Sequence, residues 1–356
     1  MSEADLRHWQ SLVRAAARAN RKLRVRGFGS KDFYGGELEG EVFDTREHAG
    51  VVYYEPTELV VTARCGTPLA ELEATLAGQG QWLPCEPPHF GGASVGGMVA
   101  AGIAGPARMA AGGIRDYVLG VRVIDGNGEL LRFGGEVMKN VAGYDVSRLY
   151  AGSLGTLGVI VDVSLKVLPR PVATETRVLE LDREAALATM NQFAGQAVPL
   201  TASAWYRGQL FLRFAGSPAA VGKLAKDVGG EVLADAAQFW ESLREQTHEF
   251  FAGAVAGNES LYRLALPVRA ASSVPAGDCL IEWGGAQRWC YGDGERLRET
   301  AEQSGGVAVR FRTAGDASRA DSMPARHPNI QMIERRLRKA FDPSGVFSHG
   351  RLGVEH

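Results

Sequence analysis

The sequence predicts an α+β protein of two unlike regions, and three observations carry that prediction. Glycine crowds the first half: 17 of the 68 positions from Gly91 to Gly158 are glycine, against roughly 7% in an average chain. Up to Pro171 the chain reads as short β-rich pieces separated by turn residues. Beyond it, helix-like and strand-like runs alternate and the glycine thins. At 356 residues the chain is about twice the length of one ordinary domain, so two domains are expected.

The elements follow in order. Residues 3 to 20 read as a helix with Leu6, Trp9, Leu12 and Val13 on one face and arginines opposite. "KLRVR" is a strand running into "GFGSKDFYGG". "GEVFDT", "GVVYYEP" and "ELVVTARCGTP" are short strands rich in β-branched and aromatic residues. "PLAELEATLAGQG" is a helix with Leu69, Leu72 and Leu76 one face apart and glycine after it. "VLGVRVIDGNGELLRF" is a hairpin around a D-G-N-G turn. "GVIVDVSLKVLPRP" is a strand stopped by prolines. After Pro171, "REAALATMNQFAG", "AAVGKLAKDVGG" and "RLRETAEQSGG" read as helices. "ASAWYRG", "QLFLRFAG", "LYRLALPV" and "CLIEWGGAQRWCYG" read as strands of a mostly antiparallel sheet backed by those helices. "HPNIQMIERRLRKAFDPSG" is one basic helix ending at a D-P stop.

Composition narrows the function. With 39 basic and 41 acidic residues there is no basic field to hold nucleic acid or an anionic membrane. The first twenty residues lack the plan of a signal peptide and no run of about 18 apolar residues occurs, so a cytosolic chain with no membrane span is expected. Cys65, Cys85, Cys279 and Cys290 never form a CxxC pair, so buried free thiols are expected and no metal or iron-sulfur site within this chain.

Clustered glycines let backbone amides approach a phosphate, because no side chain intrudes and φ can turn positive. Three segments qualify. "RVRGFGSKDFYGG" offers the amides of Gly27, Phe28, Gly29 and Ser30. "PPHFGGASVGGMVAAGIAGP" and "GYDVSRLYAGSLGTLGVI" can lay two more backbone stretches beside a ligand. A Rossmann site does not fit: Asp32 stands where the third glycine of GxGxxG belongs, and no acidic residue ends a second parallel strand about 20 residues on. No GxxxxGK[ST] phosphate loop is present.

Taken together, "RGFGS", "SVGGMVAAGIAGP", "VLGVRVIDGNGELL" and "VMKNVAGYDVSRLYAGSLGTLGVIVDVSLKVLPRP", in that order, resemble the FAD-binding domain of the vanillyl-alcohol oxidase and p-cresol methylhydroxylase superfamily over roughly residues 20 to 171. "GGEVMKNVAGYDVSRLYAGSLGTLG" and "FDPSGVF" resemble the FAD-binding accessory subunits of bacterial glycolate oxidases. The "SHGRL" turn departs from the related N-P-G turn at Ser348 and His349. The resemblance implies a two-lobed FAD-binding domain over residues 1–171, a reduced α+β cap over 172–324, and a C-terminal helix and tail over 325–356 that returns to the first domain.

The same resemblance assigns Arg26, Gly27, Gly29 and Ser30 to a pyrophosphate loop. It sets Ser94, Val95, Gly96, Gly97 and Gly102 beside the pyrophosphate and isoalloxazine. Tyr144 and Asp145 would shape the third segment, Gly152 and Gly155 clear space, and Ile160 present its backbone to the adenine. Relatives that tether the flavin use a histidine or cysteine in the first loop, and "RGFGSKDF" has neither, so a non-covalent FAD is implied.

The catalytic relatives place a histidine pair and a carboxylate on a metal in the cap, upstream of D-P-x-G. Here only His349 and His356, beside Glu355, have such spacing, and they lie beyond it. Arg326 and His327 read as a solvated helix start rather than a substrate clamp. Trp205, Trp240, Trp283 and Trp289 read as core. No catalytic residue is assigned. The resemblance therefore implies an accessory flavin carrier in the oxidation of a small 2-hydroxyacid. Its partners would be a larger FAD-containing catalytic subunit and an iron-sulfur subunit, and it would work in the cytosol beside the membrane. A scaffold without turnover and a stand-alone dehydrogenase are the alternatives.

Overall fold

The computed structural model describes residues 3–136, 144–268, 278–315, 317–319, 322–324, 326–347 and 349–353. Its first helix, Glu3–Arg18, buries Trp9, Val13 and Ala16. The Trp9 ring meets Phe43 edge-on at 5.1 Å. Leu12, read from spacing as part of that face, is instead 41% exposed, because it lies at the margin of a narrow apolar stripe.

The strand Leu23–Arg26 pairs in parallel with Glu41–Asp44. Beside this pair stands an antiparallel sheet whose five described strands run in the order Val51–Glu55, Val60–Arg64, Val159–Lys166, Val118–Ile124 and Leu130–Gly134. In its central strand, Val159, Val161, Val163 and Leu165 are buried in the core. The opposite face is polar, with Thr62 and Ser164 hydroxyls bonded at 2.8 Å and Arg122 Nε donating to Asp162 at 2.7 Å. The hairpin turn forms as its sequence demands: the Asp125 carboxylate accepts from Asn127 N at 3.0 Å and Glu129 N at 2.8 Å, and Gly128 takes φ 71°.

Helix Leu69–Ala77 buries Leu69, Leu72 and Leu76. The glycine-rich stretch after Ser94, given no helix from sequence, forms the short helix Val95–Ala101. Ser94 caps it by accepting from Gly97 N at 3.1 Å, and Val95, Met98 and Val99 bury against the core. Packing and the cap offset the poor helix propensity of two adjacent glycines.

After Pro171 the chain builds a second sheet of eight described strands, all antiparallel, and no described sheet joins strands from both sides of Pro171. Its order is Glu231–Val232, Ala173–Glu180, Gln209–Gly216, Leu200–Tyr206, Cys279–Glu282, Gln287–Tyr291, Leu261–Ala265, Val307–Arg312. Helices Arg183–Ala194 and Pro218–Val228 cover one face through Leu187, Met190 and Val221 on Leu210, Leu212 and Phe214. Part of the other face, with Phe211, Trp289 and Phe311, meets Tyr34, Ala101 and Ile103 of the first region. Helix Ala236–Arg244 and strand Val307–Arg312 had no counterpart in the sequence reading.

The last helix, Pro328–Phe341, returns the chain to the first region. Phe341 packs edge-on to Phe133 at 5.8 Å and Tyr150 at 5.9 Å. The Asp342 carboxylate then accepts from Val346 N at 2.9 Å and Phe347 N at 2.7 Å, which turns the chain so that Leu23 N donates to Val346 O at 2.7 Å. Among the described residues, no helix is long and apolar enough to cross a membrane.

Candidate functional site

The first two glycine segments meet in one wall. A Cβ at Gly27 would lie 2.3 Å from Ser94 Oγ, so the approach of the two segments requires glycine there. Gly29 takes φ 76°, which turns the loop back over the end of its strand. Between this wall and the third segment opens a cleft of about 910 Å³, part of it open to solvent.

Ten of the residues singled out from sequence line it: Arg26, Gly27, Phe28, Gly29, Ser30, Ser94, Gly96, Gly97, Gly155 and Ile160. Five are placed elsewhere. Val95 is fully buried in the core. Gly102 and Gly152 pack on each other away from the cleft, a Cβ at Gly102 falling 2.9 Å from Gly152 N. Tyr144 is 94% exposed. Asp145 accepts from the Ser147 hydroxyl at 2.9 Å and pairs with Arg148 at 2.9 Å. Tyr144 and Asp145 directly follow residues 137–143, which lie outside the described residues.

The ionisable lining is cationic: Arg24, Arg26, Lys31 and Arg351 against one carboxylate, Asp32, and the buried thiol Cys65. Arg26 Nε is 2.8 Å from Asp32, so that carboxylate is partly neutralised. Burial pulls Lys31 down to about 8, opposed by the charge of Glu245. Burial pushes the Cys65 thiol up to about 12, which leaves it a poor nucleophile. A glycine-walled cleft with a surplus of cations suits a polyanion, and the Cβ-free wall fits a flat or extended ligand pressed to the backbone. Sequence reasoning missed Arg24, Lys31, Thr45, Leu154 and Arg351. Lys31 directly follows the loop and was within reach of the motif. Arg351 is more than 300 positions away and carried no signal.

A wider groove of about 2,080 Å³ lies between the two regions, walled by Trp82, Pro84, Pro106, Ala107, Ala236 and Trp240 among others. Its Arg213 is paired with Glu86 at 2.9 Å and its Arg244 with Glu245 at 2.8 Å. Arg170 lines it as well, and no glycine stands among its described lining residues.

Where the second sheet faces the first region, aromatic rings crowd around a small cavity lined by Phe90, Ile103, Glu282, Trp289 and Phe311. Phe33 lies 5.4 Å from Phe90 and 5.5 Å from Phe311, Tyr34 5.0 Å from Phe311, and Trp289 4.8 Å from Phe311. The Arg312 guanidinium sits 3.8 Å over the Phe33 ring. Behind them the buried Glu282 accepts from Trp289 Nε1 at 2.6 Å and Gln287 Nε2 at 3.1 Å, and burial raises it to about 7. Trp240 and Trp289 are buried, Trp205 donates to Leu181 O at 2.8 Å, and Trp283 donates to Gly105 O at 3.1 Å. None of the four lines the cleft. His327 caps the last helix, its Nδ1 accepting from Asn329 N at 3.3 Å, and Arg326 pairs with Glu334.

Among the described residues no group of three or more His, Cys, Asp or Glu could hold a metal. The His349, Glu355 and His356 set involves residues 354–356, and the Ser348 departure residue 348, all outside the described residues. All four cysteines are buried and free.

The family described as FAD binding domain matches residues 4–134. Glycolate oxidase subunit GlcE of Escherichia coli (strain K12) is 44% identical over 336 residues, covering 94% of this chain and 93% of that protein. Glycolate oxidase subunit GlcD of Bacillus subtilis (strain 168) is 29% identical over 153 residues, 42% of this chain and 33% of that protein. Among solved structures, alkyldihydroxyacetonephosphate synthase superposes with a TM-score of 0.68 at 14% identity, covering 98% of this chain and 75% of that one. This last likeness shows the fold.

Proposed function

Because the chain belongs to the family of the glycolate oxidase subunit GlcE, we propose that it is an FAD-binding oxidoreductase subunit that supports oxidation of a small 2-hydroxyacid, glycolate to glyoxylate, within a multi-subunit complex. The observation that carries this reading is the cationic, glycine-walled cleft in a chain alike over nearly its whole length. FAD, when bound, supplies the two-electron acceptor that such an oxidation needs.

The chain's own residues divide the work. The Gly27–Ser30 loop would hold the phosphates, with Arg26 and Lys31 beside it. Ser94, Gly96 and Gly97 form a second wall, and Gly155 and Ile160 complete the lining. The cofactor is held without a covalent bond: among the described residues, Cys65 is the one cysteine lining the cleft and no histidine lines it, and burial pushes the Cys65 thiol up.

No base for the substrate hydroxyl is assigned in this chain. The chain accordingly serves as a flavin carrier beside a larger FAD-containing catalytic subunit and an iron-sulfur subunit, in the cytosol and peripheral to the inner membrane through those partners. The division of labour follows the segments proposed from sequence, a flavin domain over 1–171, a cap over 172–324 and a returning tail over 325–356. The test is to purify the full chain and record its visible spectrum. Flavin bands near one per chain, released entirely into the supernatant by acid precipitation, are expected. A colourless folded protein that takes up no added FAD refutes the reading, and colour kept in the pellet refutes the non-covalent part.

A further inference from the structure

We propose that the turn at residues 349–353 is a latch for the segment 31–36 that continues the Gly27–Ser30 loop, with Arg351 as the positioning residue that holds the carbonyl oxygens of Lys31, Asp32 and Gly36. This rests on the flavin reading above for the identity of the ligand, though the latch itself is a matter of geometry.

Arg351 is 7% exposed and lines the cleft. Its Nη1 donates to Gly36 O at 3.0 Å and Asp32 O at 3.4 Å, and its Nη2 to Lys31 O at 3.3 Å. The loop answers through its backbone, with Gly36 N donating to Arg351 O at 3.0 Å. A Cβ at Gly36 would lie 2.0 Å from Gly350 O, so the two backbones touch. Arg319 Nη1 adds a further bond to Asp32 O at 2.6 Å.

Carbonyl oxygens carry partial negative charge, so a loop that binds an anion must turn them elsewhere while presenting its amides. One guanidinium forked across three of them fixes their direction and adds a positive charge to the lining. Its own burial pulls it down to about 10, partly offset by Asp32, so it stays charged at neutral pH.

The tail is held in place independently of the loop. Asp342 binds Val346 N and Phe347 N, and both side chains are buried in the first core. The loop therefore reaches its binding shape only when residues 346–351 have packed against the first region, which makes cofactor retention depend on that segment.

The experiment uses the full chain with Arg351→Ala and Arg351→Lys. Three quantities are measured: FAD affinity from quenching of flavin fluorescence, thermal midpoint of the flavin-free protein, and amide exchange over residues 29–36. Arg351→Ala is expected to weaken FAD binding roughly 10- to 100-fold, the scale of lost charge-assisted bonds, and to speed exchange in the loop alone. Millimolar guanidinium should restore part of the affinity. Arg351→Lys should restore little, since an ammonium cannot fork across three carbonyls; it also carries the test if the alanine variant does not fold.

Wild-type affinity together with wild-type exchange in the variant overturns the latch. So does a lowered midpoint with affinity and loop exchange untouched, which would mark a tie that serves stability only. If the unaltered chain binds no FAD, the flavin reading falls while the exchange measurement still decides the latch.

Discussion

The two halves of this molecule use opposite materials. In the first, the wall of the cleft is backbone: Gly27, Gly29, Gly96, Gly97 and Gly155 line it, and the charge comes from four cations at its rim and floor. In the second, space is filled by side chains, with Phe211, Trp289 and Phe311 buried toward the first region and Phe214 buried on the far face. A site made of amides is intolerant of a side chain added to its backbone, while the cations around it set its charge. A packed sheet is the reverse, tolerant of backbone detail and sensitive to lost volume. The comparison teaches that the flavin half should fail by losing its ligand and the cap half by losing its fold.

The strongest way to break that contrast is to look for chemistry in the cap. The isolated chain should oxidise glycolate or lactate about 10²- to 10⁴-fold more slowly than the assembled complex, since no positioned base for the hydroxyl proton is assigned. Steady-state dye reduction with the chain alone and then with its partner subunits measures this. Brisk turnover by the chain alone would give the cap a site of its own.

Next in size is the cost of lost volume. Phe214→Ala, at a fully buried position between the sheet and its helices, should cost about 3–5 kcal/mol of stability yet leave flavin occupancy near one in whatever fraction stays folded. Denaturant unfolding combined with a flavin count on the soluble protein would expose the opposite pattern.

Gly29→Val is the mirror experiment. Forcing a β-branched residue to φ 76° costs on the order of 1–3 kcal/mol, and its side chain intrudes on the loop, so flavin should be lost with little change in the unfolding of the cap. Full flavin occupancy in the purified variant would remove the loop from the site.

The smallest expected effect sharpens the electrostatic side. Lys31, pulled down to about 8 by burial, is charged below that pH and neutral above it. An anionic ligand favours the charged form, so binding takes up a proton above pH 8. FAD affinity should then be flat from about pH 6 to 7.5 and fall above 8 by up to about tenfold per pH unit. Lys31→Met should bind more weakly at pH 7 and lose that dependence in a titration across the same range.

Much of this could be read before any coordinates. The helix burying Leu69, Leu72 and Leu76, the hairpin at Asp125–Gly128 and the stop at Asp342 follow from local rules: helical spacing, an aspartate satisfying its own turn, proline ending a helix. The need for bare backbone was legible too, because glycine density is a property of composition. What escaped was whatever depended on packing. The glycines after Ser94 look like a loop by propensity, yet a serine cap and the burial of Val95, Met98 and Val99 make them a helix. Tyr144 and Asp145 carry motif weight but face solvent and a neighbouring arginine.

The sequence by itself determined that two unlike regions exist and that the first crowds glycine into three segments, since both are set by residue type and short-range spacing. Only the tertiary structure decided which amides share one cleft and which cations surround it. Gly27 meets Ser94, Gly155 packs beside Val25, and Arg351 arrives from more than 300 positions along the chain to hold carbonyls at 31, 32 and 36. The physical reason is distance along the chain. Spacing rules reach about one or two helical turns or one hairpin, whereas these contacts join residues tens to hundreds of positions apart and form only when both cores have packed.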